Sequence, residues 1–149
     1  MVPDRSLVTK WLIDLLKADP VGYGVGDHGA PEDVAFPAGY PYWTVYSIPG
    51  GGYSGPPMGA HEADASYVYQ VDSVGLTRDQ AESMGSRAHN RVSGRGIGGA
   101  YAAAAEHPSG MVVSDRISEG SPGAPVPEGS YPNEVWTVSE RFVISVTPA

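Results

Sequence analysis

The sequence predicts an α+β fold, in which an antiparallel (mixed) sheet of four to five strands carries two helices packed on one of its faces. Three observations favour this class: a helical apolar period near the start of the chain, a marked helix start in its middle, and several segments of alternating apolar and polar residues. At 149 residues the chain is expected to form a single domain, residues 1–149.

The first element is an amphipathic helix. Asp4 or Ser6 supplies its N-cap and Pro20 ends it. Its apolar residues recur at the spacing that draws one stripe along a helix: Leu7, Val8, Trp11, Leu12, Leu15 and Leu16. A short strand over residues 21–25, weakened by its glycines, is predicted to follow.

The two clearest strand patterns lie over residues 42–48 and 66–74, which are rich in aromatic and β-branched side chains. Residues 49–64, between them, form a long loop rich in glycine and proline. Ordinary hairpins use about two to five loop residues. Because a loop this long in a compact domain is usually functional or disordered, we interpret it as an arm held away from the sheet.

The second helix has a strong start signal. Thr77 and Gln80 form a capping box, and Leu76 and Ala81 form a hydrophobic staple around it. The pattern predicts a helix from residue 78 to about residue 92, whose inward face is made mostly of small residues that let the helix lie close to a sheet.

The last third of the chain is predicted to contain a strand over residues 111–117, a Pro/Gly linker over 119–132 and a long strand over 134–147. The alternation in the long strand has the period of a half-buried antiparallel strand. One face of it carries Trp136, Val138, Phe142, Ile144 and Val146. Of these, we expect Trp136, Phe142 and Ile144 to pack against the leucines of the first helix.

Composition excludes several classes of protein. There are no cysteines, so disulfides and thiolate metal sites are ruled out. The formal net charge of −8 argues against general affinity for nucleic acid or anionic membranes. No apolar stretch approaches the roughly 20 residues of a membrane helix, and the amphipathic start is unlike a signal peptide. We therefore expect a soluble protein that is not secreted.

No catalytic pattern stands out. The histidines and nearby carboxylates invite a metal hypothesis, but none has a metal-protease spacing and three of the four histidines fall in predicted loops, so we interpret them as solvated. Asp27 and His28 lack a partner serine in a nucleophile elbow. We predict no catalytic, cofactor-binding or metal-binding residue. The weighed candidates are His28, His61, His89, His107, Asp27, Glu62 and Asp64.

Five residues are candidates for an interface with a partner. Tyr53 and Met58 lie in the glycine-rich loop, where an apolar side chain has little core to join. Arg87, Arg91 and Arg95 follow one another at a spacing of four at the end of the second helix. Cations there also complement the helix dipole, so a solvated structural ridge is the competing interpretation of the three arginines.

Several motifs carry a family resemblance when read in order. They are Tyr-Pro-Tyr-Trp-Thr-Val-Tyr over residues 40–46, Pro-Gly-Gly-Gly over 49–52, Tyr-Val-Tyr-Gln-Val over 67–71, Thr-Arg-Asp-Gln-Ala over 77–81, Gly-Arg-Gly over 94–96 and Val-Trp-Thr-Val-Ser-Glu-Arg-Phe over 135–142. Together with the amphipathic first helix, this order resembles the tail terminator proteins of long-tailed phages of actinobacterial hosts. The similarity covers nearly the whole chain, and its motifs are structural rather than chemical.

The resemblance implies an α+β subunit without enzymatic activity or cofactor. Such a subunit assembles into a hexameric ring that closes the head-proximal end of the tail tube, ends tube polymerisation and docks the neck. The implied partners are copies of the chain itself, the tail tube protein and a neck or head-completion protein. Genomic DNA would pass through the lumen without specific binding, and no membrane is involved. The implied location is the tail or neck of the virion, reached by assembly in the host cytoplasm.

Two other classes remain open at this point. One is a different virion piece, either a neck or head-completion protein or a tail tube subunit. The other is a small metal-dependent enzyme or ligand-binding domain that uses Asp27, His28 and His61.

Overall fold

The computed structural model describes residues 3–31, 38–54, 64–96, 99, 101, 107–120, 122–130 and 132–149. Within these residues the chain forms two helices and six strands, which confirms the predicted α+β class. In chain order they are α1 (Arg5–Lys17), β1 (Gly24–Asp27), β2 (Tyr42–Ser54), β3 (Asp64–Gly75), α2 (Arg78–Ser93), β4 (Met111–Ser118), β5 (Val126–Glu128) and β6 (Val135–Pro148).

The strands form one mixed sheet in the order β1-β2-β3-β6-β4, with β5 also paired to β6. β1 and β2 are parallel, and the other pairs are antiparallel. The sheet therefore has six strands, where the sequence predicted four to five. The extra strand, β5, lies inside the predicted linker over 119–132. Its residues are all exposed, so no alternation of apolar side chains marks it in the sequence.

Two predicted boundaries shift. The first strand lies at Gly24–Asp27, not over 21–25, because Gly22 has a left-handed φ of 75° and belongs to the turn after α1. β2 runs to Ser54 and pairs with β3 as far as Asp64, so residues 49–54 of the predicted loop are strand. The remainder of that loop, 55–63, lies outside the described residues.

Both helices pack on the same face of the sheet, as predicted. Each helix buries its apolar stripe in one continuous core. Among the members of this core are Leu12, Leu15 and Leu16 of α1, Met84, Ala88 and Val92 of α2, and Trp43, Tyr69, Phe142 and Ile144 of the sheet. Trp136 is an exception to the prediction. It is only half-buried and lies beside Pro127 of β5 and Gly75 of β3, away from this core.

The helix caps follow the sequence with one difference. The Asp4 side chain accepts the Ser6 amide, and the Thr77 hydroxyl accepts the Gln80 amide at 3.1 Å. In a capping box the Gln80 side chain would accept the amide of the N-cap residue itself. Here it accepts the amide of the preceding residue, Leu76, at 2.7 Å. No helix within the described residues is long and apolar enough to cross a membrane.

Candidate functional site

The β2–β3 hairpin continues past a break in its register. Ile48 faces Val68, and the next paired position joins Gly52 to Ser66, so three residues of β2 oppose one residue of β3. Gly51 makes this bulge possible, because its φ is 74° and a Cβ there would stand 2.1 Å from the Ser66 carbonyl oxygen. We call residues 49–54 and 64–66 the distal hairpin.

Arg5 of α1 fastens the base of the distal hairpin. Its Nη2 donates to the carbonyl oxygens of Ile48 at 3.0 Å and Val68 at 3.2 Å, the last facing pair before the bulge. Its guanidinium carbon also lies 5.2 Å from the ring centroid of Tyr67 and 5.5 Å from that of Tyr69. A single cation on α1 therefore holds both strands where their ladder is interrupted.

Two tyrosines of β3 add to this anchor. The Tyr67 hydroxyl donates to the Pro3 carbonyl at 2.7 Å, and the hydroxyls of Tyr69 and Thr9 lie 2.9 Å apart. Burial raises the pKa of Tyr69 above its ordinary value. The start of α1 and the base of the distal hairpin are thus joined by several independent contacts.

Of the two apolar candidates for the interface, only Tyr53 lies within the described residues. The backbone of Tyr53 is in β2, paired with Ala65. Met58 lies outside the described residues. Their role as interface anchors stays a prediction.

Arg87 makes an intramolecular ion pair. Its Nε lies 2.8 Å and 2.9 Å from the two carboxylate oxygens of Asp19, and its Nη2 lies 2.8 Å from one of them. Burial raises the pKa of Asp19, but hydrogen bonds from Arg87 and from the Val21 amide, with the positive charges of Arg87 and Arg91, outweigh it and hold the pKa below its ordinary value. The pair ties α2 to the end of α1.

Arg91 also links α2 to the end of α1. Its Nε donates at 2.6 Å to the carbonyl oxygen of Leu15, which lies in the last turn of α1. Carbonyls of that turn have no partner within the helix, and a cation there also complements the helix dipole. Arg87 and Arg91 are therefore structural links as well as half-exposed candidates for a partner contact, and their interface role remains a prediction.

Arg95 ends a stack of alternating aromatic rings and guanidinium groups. Its guanidinium carbon lies 3.9 Å from the ring centroid of Tyr101. The guanidinium carbon of Arg116 lies 4.5 Å from the same ring centroid and 4.8 Å from the ring centroid of Trp11. Burial lowers the pKa of Arg116. Of the three arginines that the sequence singled out, Arg95 is the most exposed, and it is also held in place.

His28 is not free to act as a base. Its Nδ1 is bonded to the Asp27 carboxylate, and its Nε2 accepts the Ser47 amide at 3.1 Å. Both ring nitrogens are therefore engaged, which leaves no lone pair for a substrate proton. The interpretation of His28 as a solvated loop residue was wrong in this respect, although half of the side chain is exposed.

The other histidines are also engaged or outside the described residues. His107 Nδ1 accepts the Val113 amide at 3.1 Å, so it too is more than a solvated side chain. His89 Nδ1 lies 2.6 Å from a carboxylate oxygen of Glu140. His61 and Glu62 lie outside the described residues, and within those residues no group of three potential ligands surrounds a metal position.

Sequence reasoning missed Glu140. Its side chain is 4% exposed beneath α2 and is also 2.6 Å from the Ser118 hydroxyl, while Oε1 has no hydrogen-bond partner among the described residues. The sequence did contain a signal for it. Side chains two residues apart in a strand lie on the same face, so Glu140 shares the buried face of β6 with Val138 and Phe142. A carboxylate at such a position indicates a buried polar contact.

The comparisons with known proteins bear on the fold. No family model and no curated protein matches the chain. Among solved structures, the chain is 21% identical to one that carries no descriptive name, with a TM-score of 0.54 over 95% of this chain and 92% of that chain. It is 14% identical to a chain from the virion of a native gene transfer agent particle, with a TM-score of 0.55 over 96% of each chain. At these identities the similarity is one of fold, and over nearly its whole length this chain has the fold of a protein found in that virion.

Proposed function

We propose that this chain is a structural virion protein of a phage tail, a terminator. In this role it forms a hexameric ring that caps the head-proximal end of the tail tube, ends tube polymerisation and docks the tail to the neck. The observation that carries the proposal is the fold shared along nearly the whole chain with a component of the gene transfer agent virion. The ordered sequence motifs, which resemble tail terminators, support the same role.

The electrostatics are compatible with a ring that DNA crosses. A subunit with a formal charge of −8, repeated around a channel, repels the phosphate backbone and does not grip it. The same charge favours contact with basic surfaces on the tube or neck. The proposed partners are copies of the chain, the tube protein and the neck protein.

The distal hairpin supplies a means of contact. Beyond the bulge its two strands stay paired, its β3 residues Ala65 and Ser66 also pair with β6, and Arg5 fastens its base to α1. The connection over residues 55–63 joins the ends of this fixed pair, so it can contact a neighbouring subunit without rearrangement of the core.

Native mass spectrometry and negative-stain imaging test the ring. We expect a closed single ring, formed by the purified chain or by the chain mixed with tail tubes. A stacked tube would identify a tube subunit instead. A monomer that binds neither tubes nor tube ends would contradict the proposal.

Deletion of the gene from the phage that carries it tests the function. Without a cap, tube subunits have no signal to stop adding, so electron micrographs should show unattached tails of variable or excessive length beside DNA-filled heads. Tails of normal length joined to heads would rule out the terminator role. Normal tails that remain separate from heads would assign the chain to the neck.

Shortening the connection between β2 and β3 tests whether the predicted arm acts in assembly. Because Ser54 and Asp64 are the last facing pair, residues 55–63 can be replaced by Asn-Gly, which suits a two-residue hairpin turn. The shortened chain should fold with unchanged circular dichroism but fail in ring formation or head joining. A control replaces 55–63 by a Gly/Ser segment of equal length. If the shortened chain still joins tails to heads, the arm has no role in assembly, and if only the control does so, length is what matters.

A further inference from the structure

Several strands of the sheet have an edge that no other strand of the described residues covers, among them β2 and β4. β2 continues from Tyr46 to Ser54 after its partner β1 has ended opposite Val45. β4 is the last strand at the opposite end of the sheet. Such edges offer backbone amides and carbonyls to any strand that arrives, so proteins commonly block them.

His28 blocks the open edge of β2 at its first amide beyond β1. The chain first continues the β1 pairing, since the His28 amide donates to the Val45 carbonyl at 2.9 Å. Its φ of 58° then turns the backbone away, and the imidazole Nε2 accepts the next amide of β2, that of Ser47. The ring nitrogen therefore takes the place of the backbone carbonyl oxygen that would accept this amide if β1 continued.

Two side chains block the edge of β4 in the same manner. His107 Nδ1 accepts the Val113 amide at 3.1 Å, and the Tyr101 hydroxyl accepts the Arg116 amide at 2.7 Å, although that amide also donates to the Asp115 carboxylate at 2.9 Å. Three amides on two separated strand edges thus donate to aromatic side chains from connecting segments. The same type of contact, from a strand-edge amide to an aromatic side chain, therefore occurs on both sides of the sheet.

Two of the three blocking side chains, His28 and Tyr101, have further contacts that hold them in place. The Asp27 carboxylate bonds the other nitrogen of the His28 ring. The guanidinium groups of Arg95 and Arg116 both contact the Tyr101 ring, at 3.9 Å and 4.5 Å from its centroid. An incoming strand that pairs with one of these amides must first displace the blocking side chain. It must then also break the contacts that hold this side chain in place.

The β4 edge also needs protection, because two of its aliphatic side chains are exposed, Ile117 by 50% and Val112 by 36%. An exposed apolar edge strand is a site of strand addition and aggregation. In an assembly built from many copies, the nearest available strand belongs to a neighbouring copy of the same chain.

We propose that His28, Tyr101 and His107 are edge guards, which prevent a second copy of this chain from adding a strand to β2 or β4. Copies of the chain then meet only through other surfaces, and open-ended sheet growth is suppressed. This proposal does not depend on the terminator role, since it concerns how copies are kept from associating.

The test removes the three acceptors with little change to the fold. Tyr101→Phe deletes one oxygen atom and keeps the ring that the arginines contact. His28→Gly deletes the imidazole and relieves the left-handed backbone. His107→Ala deletes the third acceptor. In the triple variant, exchange of the Ser47 and Val113 amides with deuterium should accelerate by up to about tenfold, since each loses its hydrogen bond. The Arg116 amide should respond less, because it keeps the Asp115 carboxylate as an acceptor. Analytical ultracentrifugation should show a concentration-dependent series of larger species, with an intermolecular β band in the infrared spectrum.

Tyr23→Phe is the matched control, because it removes a hydroxyl from a ring that packs edge-on against Trp43 in the interior. Its amide exchange and its sedimentation should match those of the parent. If the triple variant folds but sediments as the same discrete species as the parent, the edge-guard role is wrong. Unchanged exchange at the Ser47 and Val113 amides would overturn it as well. If the triple variant does not fold, the single variants His107→Ala and Tyr101→Phe decide, the first by exchange of the Val113 amide and both by self-association at high concentration.

Discussion

Gly85 of α2 lies against Val138 of β6, so closely that a Cβ on Gly85 would stand 2.9 Å from Val138 Cγ1. Real Cβ atoms almost never approach another atom this closely. At this point the helix backbone therefore rests directly on the Val138 side chain, with no side chain of its own between them. This contact fixes how closely α2 can approach the strand that carries Phe142 and Glu140.

Gly85→Ala should destabilise the protein. In an exposed helix the change would stabilise by about 1 kcal/mol, but here the added methyl group overpacks the interface at a cost of roughly 1–3 kcal/mol. Urea denaturation of Gly85→Ala, Val138→Ala and the double variant measures the coupling. The double variant should be more stable than the sum of the single changes predicts, and strict additivity would show that the two residues do not press on one another.

Phe142→Ala should cost about 3–5 kcal/mol, because the side chain is fully buried and its removal leaves a cavity. Val143→Ala, on the other face of β6, is the matched control and should cost no more than about 1 kcal/mol. Thermal and urea denaturation give both values. Equal losses would mean that the two faces of β6 are not buried differently.

His89→Ala should be more destabilising than an average surface change. It removes the hydrogen bond between His89 and the buried Glu140 carboxylate, whose remaining partner is the Ser118 hydroxyl. The loss should lower the free energy of unfolding by about 1–3 kcal/mol. His89→Ala combined with Glu140→Leu should recover part of the loss, since no buried carboxylate is then left without its partner. A double variant less stable than His89→Ala would contradict this account.

Asp19 should contribute stability that depends on pH. Because its pKa in the folded protein is lowered by Arg87, the folded state favours the charged carboxylate. The contribution is present above the ordinary aspartate pKa of about 3.9 and is lost as the pH falls below that value toward the lowered pKa. The stability difference between parent and Asp19→Asn should therefore shrink below roughly pH 4. A difference that stays constant from pH 7 to pH 3 would exclude this linkage.

Arg5→Met should loosen the distal hairpin and leave the core intact. It keeps the length of the side chain but removes the donors to the Ile48 and Val68 carbonyls. Hydrogen exchange of residues 48–54 and 64–68 should accelerate, while that of α2 stays unchanged. Lys10→Met, an exposed residue of the same helix, is the control. Equal protection of the hairpin in parent and variant would show that Arg5 does not hold it.

Local patterns along the chain were enough to predict α1, α2, the long β6 and the apolar faces that meet in the core. These features depend on periods of 3.6 and two residues and on caps within a few positions, all of which are written in consecutive residues. The class of fold followed from their order. The prediction of one core face on β6 was right for Phe142 and Ile144 and wrong for Trp136, whose position depends on its neighbours β3 and β5.

Only the tertiary structure decided which side chains act together. The sequence placed Arg87 and Arg91 on one helix, but their partners Asp19 and Leu15 lie at the end of another. It showed His28 and His107 as loop residues, yet each accepts a backbone amide from a strand. Such contacts join groups far apart in the chain, and they form only after the core has set the distance between the elements. The sequence by itself therefore determined the elements and their buried faces, and long-range packing decided which polar groups meet, because a polar contact depends on geometry that no local period records.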